Sequence, residues 1–324
     1  RVWFVTHPRP LNGFDREVTL ELDDIPMGMR GSLSTKEVFL PQSVTLTLET
    51  SKWLLPGEYR IPIVAKARTV THRLNAILIV QKNPLNIPGI ITVPGLLNKP
   101  IIRTFSPSGA LLSEFQVIDG GLGMNLSAGD VNGDGVDEVI VATGWQLLKA
   151  GRLGVFKRDG TQAVFMETEQ GYVSDLTVAL GDFDGDWAEE VVLGLYKSPL
   201  SDPLHGGGGV NVYKVIGDKF IDTGFLLQPY QSEGYFGPPN VTVSDMDGDG
   251  VPELITGPGP DPSAPAKIKV FKIDTSAGMG QWKLGSQIMD LTVPFSVNGF
   301  GARVAAGDVD GDGRAEIIVG AGPD

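Results

Sequence analysis

Most of the clustered carboxylates of this chain fall in four segments of nine residues: Asp130-Val-Asn-Gly-Asp-Gly-Val-Asp-Glu138, Asp182-Phe-Asp-Gly-Asp-Trp-Ala-Glu-Glu190, Asp245-Met-Asp-Gly-Asp-Gly-Val-Pro-Glu253 and Asp308-Val-Asp-Gly-Asp-Gly-Arg-Ala-Glu316. Positions one, three, five and nine of each supply hard oxygen donors: Asp130, Asn132, Asp134 and Glu138; Asp182, Asp184, Asp186 and Glu190; Asp245, Asp247, Asp249 and Glu253; Asp308, Asp310, Asp312 and Glu316. A tight turn can aim all four at one point together with the backbone carbonyl of position seven, which is Val136, Ala188, Val251 or Arg314. Such a donor set suits calcium. The sixth position, Gly313 in the last loop, is where the chain must reverse, and glycine takes the positive φ of that turn without steric cost. Trp187 replaces it in the second loop, which predicts a strained or weaker site there.

These loops differ from the helix-flanked EF-hand, whose last acid stands at position twelve. Here the acid is at nine, and the flanks are short apolar or alternating runs such as Val304-Ala-Ala-Gly and Ile317-Ile-Val-Gly, which is strand behaviour. The elements that position the loops are therefore strands. With 43 Gly and 23 Pro in 324 residues and no long helical period, the chain reads as all-β.

The formal charge of −13 is accounted for by the loops: fifteen of the 39 acidic residues sit at ligand positions, and the remaining 24 nearly balance 26 basic ones. Four divalent ions would bring the net charge to about −5, so folding is expected to be coupled to calcium. An acidic chain without a basic stripe does not suit nucleic acid. No apolar run reaches the length of a membrane span, and the first residues, Arg1-Val-Trp-Phe-Val5, do not read as a signal peptide. With no cysteine there are no disulfides, and calcium dependence points to an extracellular or cell-surface setting.

Residues 1–82 alternate in the manner of a sandwich: Val18–Leu22, Val44–Leu48, Tyr59–Val64 and Ala76–Val80, with turns at Pro26/Gly28 and Pro56-Gly57. Together with Pro10-Leu-Asn-Gly-Phe14, Asp24-Ile-Pro26 and Pro56-Gly-Glu-Tyr59, this stretch resembles the immunoglobulin-like modules of large secreted bacterial proteins. Such modules have a further strand ahead of the position of Val2–Val5, so the resemblance implies a missing first strand and an open sheet edge. Residues 83–89 read as a linker.

From residue 90 a unit recurs: a strand ending in small residues, the loop, a second strand such as Val139–Val141, a variable Gly/Pro segment, a strand ending in an aromatic, and one more. The aromatic-ended strands are Ile102–Phe105, Leu153–Phe156, Val210–Tyr213 and Ile268–Phe271; the loops begin 52, 63 and 63 residues apart. Four strands per unit at that spacing suggests propeller blades. Asn298-Gly-Phe-Gly-Ala-Arg-Val-Ala-Ala-Gly-Asp308 and Ile317-Ile-Val-Gly-Ala-Gly-Pro323 are similar to the phrasing of FG-GAP-type repeats, the calcium-binding blades of integrin α-subunit propellers and many bacterial surface proteins, although a literal Phe-Gly-Gly-Ala-Pro is absent. The resemblance covers residues 90–324. Counting strands, three complete blades and one composite of the first and last units would close a four-bladed ring, leaving either Ile90–Val93 or Ile317–Gly320 to spare. The alternative is a piece of a longer propeller.

Other chemistry finds less support. His205-Gly-Gly-Gly-Gly209 resembles an esterase oxyanion segment, but no G-x-S-x-G accompanies it, and a flexible loop is the expected reading. His7, His72 and His205 have no zinc spacing. A glycosidase pair would need carboxylates that the loops already claim. The sequons Asn125-Leu-Ser127 and Asn240-Val-Thr242 carry little weight, and Trp3, Trp53, Trp145, Trp187 and Trp282 read as core or rim rather than a sugar platform. The sequence thus points to a non-enzymatic, secreted or surface-exposed structural or adhesive protein that self-associates by strand exchange. Its alternative is a glycan- or protein-binding module of a larger adhesin or secreted enzyme.

Overall fold

The computed structural model describes residues 2–6, 17–26, 29–39, 41–50, 57–68, 70–81, 89–94, 99–117, 122–145, 150–168, 176–197, 207–261, 266–294 and 299–321. The segment 10–14, the linker residues 83–88, and His7, Trp53 and His205 lie outside them, as do the side chains of Trp3 and Trp145. The chain divides into two compact units with the boundary between residues 83 and 84.

The first unit holds β1 (Val2–Thr6), β2 (Glu17–Leu22), β3 (Met29–Leu33), β4 (Glu37–Phe39), β5 (Val44–Thr50), β6 (Gly57–Ala67) and β7 (Val70–Val80). They form two antiparallel sheets, in the orders β1-β5-β3 and β4-β2-β6-β7. Alternation in β5 buries Val44, Leu46 and Leu48. The last two share a core with Ile61, Ile63 and Leu78 of the other sheet. Strands β3 and β4 are only five and three residues long, too short for their alternation to mark them in the sequence. Among the described residues, β1 pairs only with β5.

In the second unit the strands are β8 (Ile90–Thr92), β9 (Ile101–Phe105), β10 (Leu111–Gln116), β11 (Leu122–Gly129), β12 (Glu138–Trp145), β13 (Arg152–Phe156), β14 (Gln162–Glu167), β15 (Thr177–Gly181), β16 (Glu190–Lys197), β17 (Gly207–Ile216), β18 (Lys219–Leu227), β19 (Asn240–Ser244), β20 (Glu253–Gly257), β21 (Lys267–Asp274), β22 (Lys283–Thr292), β23 (Ala302–Gly307) and β24 (Glu316–Ala321). Three four-stranded antiparallel meanders, β11–β14, β15–β18 and β19–β22, stand between a three-stranded sheet, β10-β9-β8, and the hairpin β23-β24. The first strands β11, β15, β19 and β23 are neighbours in that order, and so are the last strands β14, β18 and β22.

Apolar layers fill the spaces between these sheets. Ile102 and Phe115 meet Val139 and Phe156; Ile140, Leu153 and Val155 meet Val178, Leu180 and Leu193; Val192, Val212 and Phe225 meet Val241 and Leu254; Ile255, Ile268 and Val270 meet Ala302, Val304 and Ile317. Phe225 is fully buried in the third of these layers. Phe225→Ala is expected to cost about 3–5 kcal/mol, read as a lowered denaturant midpoint at unchanged m-value.

The sheets approach closely where strands end in small residues. A Cβ at Gly181 would stand 2.4 Å from a methyl of Val243, and one at Gly257 would stand 2.5 Å from the carbonyl oxygen of Ala302. Side chains also tie each sheet to the next. Five residues before each of the first three loops, Asn125 donates to the Leu176 carbonyl (2.7 Å), Thr177 to the Pro239 carbonyl (2.7 Å) and Asn240 to the Ala302 carbonyl (2.8 Å). The two sequon asparagines thus spend their amide nitrogens on inter-sheet hydrogen bonds.

Two expectations change. Gly207–Gly209 belong to β17, paired with Leu195–Lys197, and not to a flexible loop. Gly208 lies so close to the Gly237 backbone that a side chain has no room. The composite blade is also not formed among the described residues: β24 pairs with β23, β8 with β9, and no pairing joins the two ends.

Candidate metal centres

Each loop joins the first strand of a sheet to its second, so its ends are held by a ladder; in the second loop that ladder pairs Gly181 with Glu190. The first aspartate folds the turn. Asp130 accepts the amides of Gly133 (2.7 Å) and Asp134 (3.1 Å) on one oxygen and that of Gly135 (2.7 Å) on the other. Asp182 does the same with Gly185, Asp186 and Trp187, and Asp308 with Gly311 and Gly313. At the sixth position φ is +84° for Gly135, +82° for Gly250, +90° for Gly313 and +81° for Trp187. The tryptophan therefore holds the left-handed conformation that its neighbours leave to glycine, a strain of about 1–3 kcal/mol.

The ninth-position glutamate closes the loop from the second strand by accepting the amide of position two, at 2.8 Å in each case: Phe183 to Glu190, Met246 to Glu253, Val309 to Glu316. Successive loops are also joined through their backbones. Glu189 N–H donates to the Asp130 carbonyl and Ala315 N–H to the Asp245 carbonyl, both at 2.8 Å. At the intervening junction the donor position is Pro252, which has no N–H, and its ring lies against Gly181 instead.

In three loops the carboxylates converge. Asp182, Asp184, Asp186 and Glu190 place one oxygen each within 4.8 Å of one another, as do Asp245, Asp247 and Glu253, and Asp308, Asp310 and Glu316. Asp249 and Asp312 stand outside their groups; Asp312 Oδ1 instead accepts the Arg314 amide at 2.8 Å. The position-seven amides of Val136 and Ala188 likewise bond to Asp134 and Asp186. In the first loop the neutral Asn132 sits between the acids, and its Nδ2 donates to Glu138 Oε1 at 2.9 Å. Glu138 is 4% exposed, yet its Oε2 has no hydrogen-bond partner. A buried carboxylate oxygen without a hydrogen-bond partner fits the role of a cation ligand. The donor sets, all oxygen and mostly anionic, fit calcium.

Burial, reinforced by the charge of Asp134, pushes Glu138 up to about 7. Burial and Asp247 push Glu253 up to about 7, and burial pushes Glu190 up to about 8 against the pull of the Phe183 amide and Lys214. All three rise from an ordinary value of 4.5. The folded, ion-free protein therefore holds protons that the unfolded chain has released, and stability must fall as pH rises through this window. The expected result is a lower unfolding temperature for the chelated protein at about pH 9 than at about pH 5, with the difference much reduced in calcium, which competes for the same oxygens. Thermal scans at both pH values check it; a chelated protein that becomes more stable with rising pH contradicts it.

Two residues of these centres carry no signal in the local pattern. Lys214 of β17 reaches the second loop, its Nζ 2.5 Å from Asp184, 2.7 Å from Asp186 and 3.1 Å from Glu190. Lys272 of β21 reaches the third, 2.6 Å from Asp247 and 3.4 Å from Glu253. Both come from a strand far along the chain, directly after its aromatic, and only that recurrence could have marked them. His72 is exposed on β7, away from any acidic group of this kind.

No helix among the described residues is long and apolar enough to cross a membrane. No curated protein matches the chain. Residues 300–324, which hold β23, the fourth loop and β24, match the family model of the FG-GAP repeat.

Proposed function

We propose that this chain is a calcium-stabilised structural or adhesive protein of the cell surface or the secreted fraction, an immunoglobulin-like sandwich followed by a β-propeller of FG-GAP-type repeats. The observation that carries the reading is the convergence of acidic side chains at equivalent positions of successive sheets, with Glu138 Oε2 buried and unpartnered in the remaining loop. Calcium would supply positive charge at these points and no reactive step. The chain's own residues do the rest: the first aspartate shapes the turn, the ninth-position glutamate closes it onto the second strand, and the inter-loop hydrogen bonds pass that rigidity from sheet to sheet. The adjacency of β11, β15, β19 and β23 supports their assignment as the inner strands of blades.

A second observation favours self-association by strand exchange. Strands β8 and β24 carry the similar sequences Ile90-Ile-Thr and Ile317-Ile-Val, and among the described residues each pairs on one edge only. Light scattering and negative-stain imaging in calcium and in chelator test the reading. Assemblies that form in calcium and disperse in chelator support it. A monomer in both conditions that binds a defined glycan on an array would instead make the chain a recognition module.

A further inference from the structure

The lysines that enter the loops recur with the repeat. Each complete sheet has a third strand whose aromatic pairs with the residue after the ninth-position glutamate: Phe156 with Val139, Tyr213 with Val191, Phe271 with Leu254. The residue after each aromatic is Lys157, Lys214 or Lys272, one position past the last pair of that register, as Glu138, Glu190 or Glu253 is on the facing strand. In the three-stranded sheet, which has no acidic loop, the residue after Phe105 is Ser106. Lysine thus appears at this position only where there are carboxylates to meet.

The three lysines differ in how far they reach. Lys157 is exposed. Lys272, with a third of its side chain exposed, meets two carboxylates of its loop. Lys214, 8% exposed, meets three of the four carboxylates of the second loop, all within 3.1 Å. An ammonium has three N–H donors; here Asp184 accepts one, and Asp186 and Glu190 stand within ion-pairing distance, with Glu190 Oε1 making no hydrogen bond of its own. Burying that charge is unfavourable except inside such a cluster.

Resting on the calcium reading of the loops, we infer that Lys214 is a built-in cation of the second loop. Its ammonium takes the place that a divalent ion takes elsewhere, so this loop closes without metal and binds calcium more weakly than its four carboxylates imply. An ion bound to Asp184, Asp186 and Glu190 would face the ammonium at the same oxygens, and one of the two must leave. The lysines then grade the loops: the second is weakest, the third intermediate, and the first stronger than both. In the second loop, metal-free closure also stabilises the turn at Trp187 in spite of its strained backbone.

That tryptophan makes the loop separately observable, because the other three carry glycine at the same position. Terbium titrations read by tryptophan-sensitised emission, on the whole chain and on Lys214→Met, test the inference, with Trp187→Phe in each background to isolate the second-loop signal. The Trp187-dependent emission is expected to saturate at a terbium concentration lower by on the order of tenfold or more in Lys214→Met. Equilibrium dialysis against subsaturating calcium is expected to find about one more ion per chain in the variant. Lys272→Met shifts the third loop by less. If Lys214→Met folds only with calcium, the same quantities are read from the loaded protein by chelator competition. Equal second-loop affinity with and without Lys214, or weaker binding in the variant, overturns the inference while leaving the calcium reading intact. Absence of any bound ion in both proteins overturns both.

Discussion

Chelation of calcium is expected to lower the unfolding temperature of the second unit by roughly 5–10 °C for each loop previously held near a hundred times its Kd, which corresponds to about 2.7 kcal/mol per loop. The size follows from what the loops contain. Carboxylates converge at one point in the second, third and fourth loops, and in the second and third the closing glutamates, Glu190 and Glu253, are buried and pushed up by that burial. An ion that binds these oxygens in the folded state finds no such group in the unfolded chain, so its whole binding free energy adds to stability. The loss should be graded by loop. Glu253→Gln removes a convergent oxygen from the third loop and is expected to reduce the calcium-dependent part of the stability while sparing the calcium-independent part. Differential scanning calorimetry in calcium and in chelator reads both. An unfolding temperature that does not respond to calcium contradicts the prediction.

The second large effect lies far from the loops. Gly208→Ala is expected to destabilise the protein by about 3 kcal/mol or more, at the upper end of what overpacking costs. A Cβ there would stand 1.5 Å from the carbonyl oxygen of Gly237, in a place where the obstruction is backbone and cannot rotate away. Strand β17 must then either pull away from the segment ahead of β19 or break its pairing with β16. Gly217→Ala is the internal control. Unlike Gly208 it has a positive φ, +63°, but its Cβ would meet nothing within 4 Å, so it carries only the backbone penalty. Urea denaturation of the two variants separates the effects, and equal losses would show that crowding at Gly208 is not the cause.

Gly208 also marks where sequence reading reached its limit. A run of glycines reads as a flexible connection because nothing local says otherwise; the reason for it is the main chain of Gly237, which only the folded arrangement brings near. The loops were legible for the opposite reason. Their turn glycines, closing glutamate and most of the converging carboxylates lie within nine residues, so spacing carries the turn, including the strained position of Trp187, but not the places of Asp249 and Asp312 outside their groups. Most long strands were legible from alternation or apolar runs, as in Val44–Thr50, whereas β3 and β4, five and three residues long, were too short to be. Lys214 and Lys272 were missed because they reach their loops across a strand pairing. Asn125 and Asn240 were weighed only as sequons because the carbonyls they serve belong to the following sheet.

The central claim is that the loops are metal centres, and a crystal structure of the whole chain grown in calcium tests it most directly. The account predicts ions at about 2.3–2.6 Å from the carboxylate oxygens of Asp245, Asp247 and Glu253 and of Asp308, Asp310 and Glu316, and one bonded to Glu138 Oε2 in the first loop. Loops of the same shape with only water or lysine among their carboxylates, at a calcium concentration well above physiological, would contradict it.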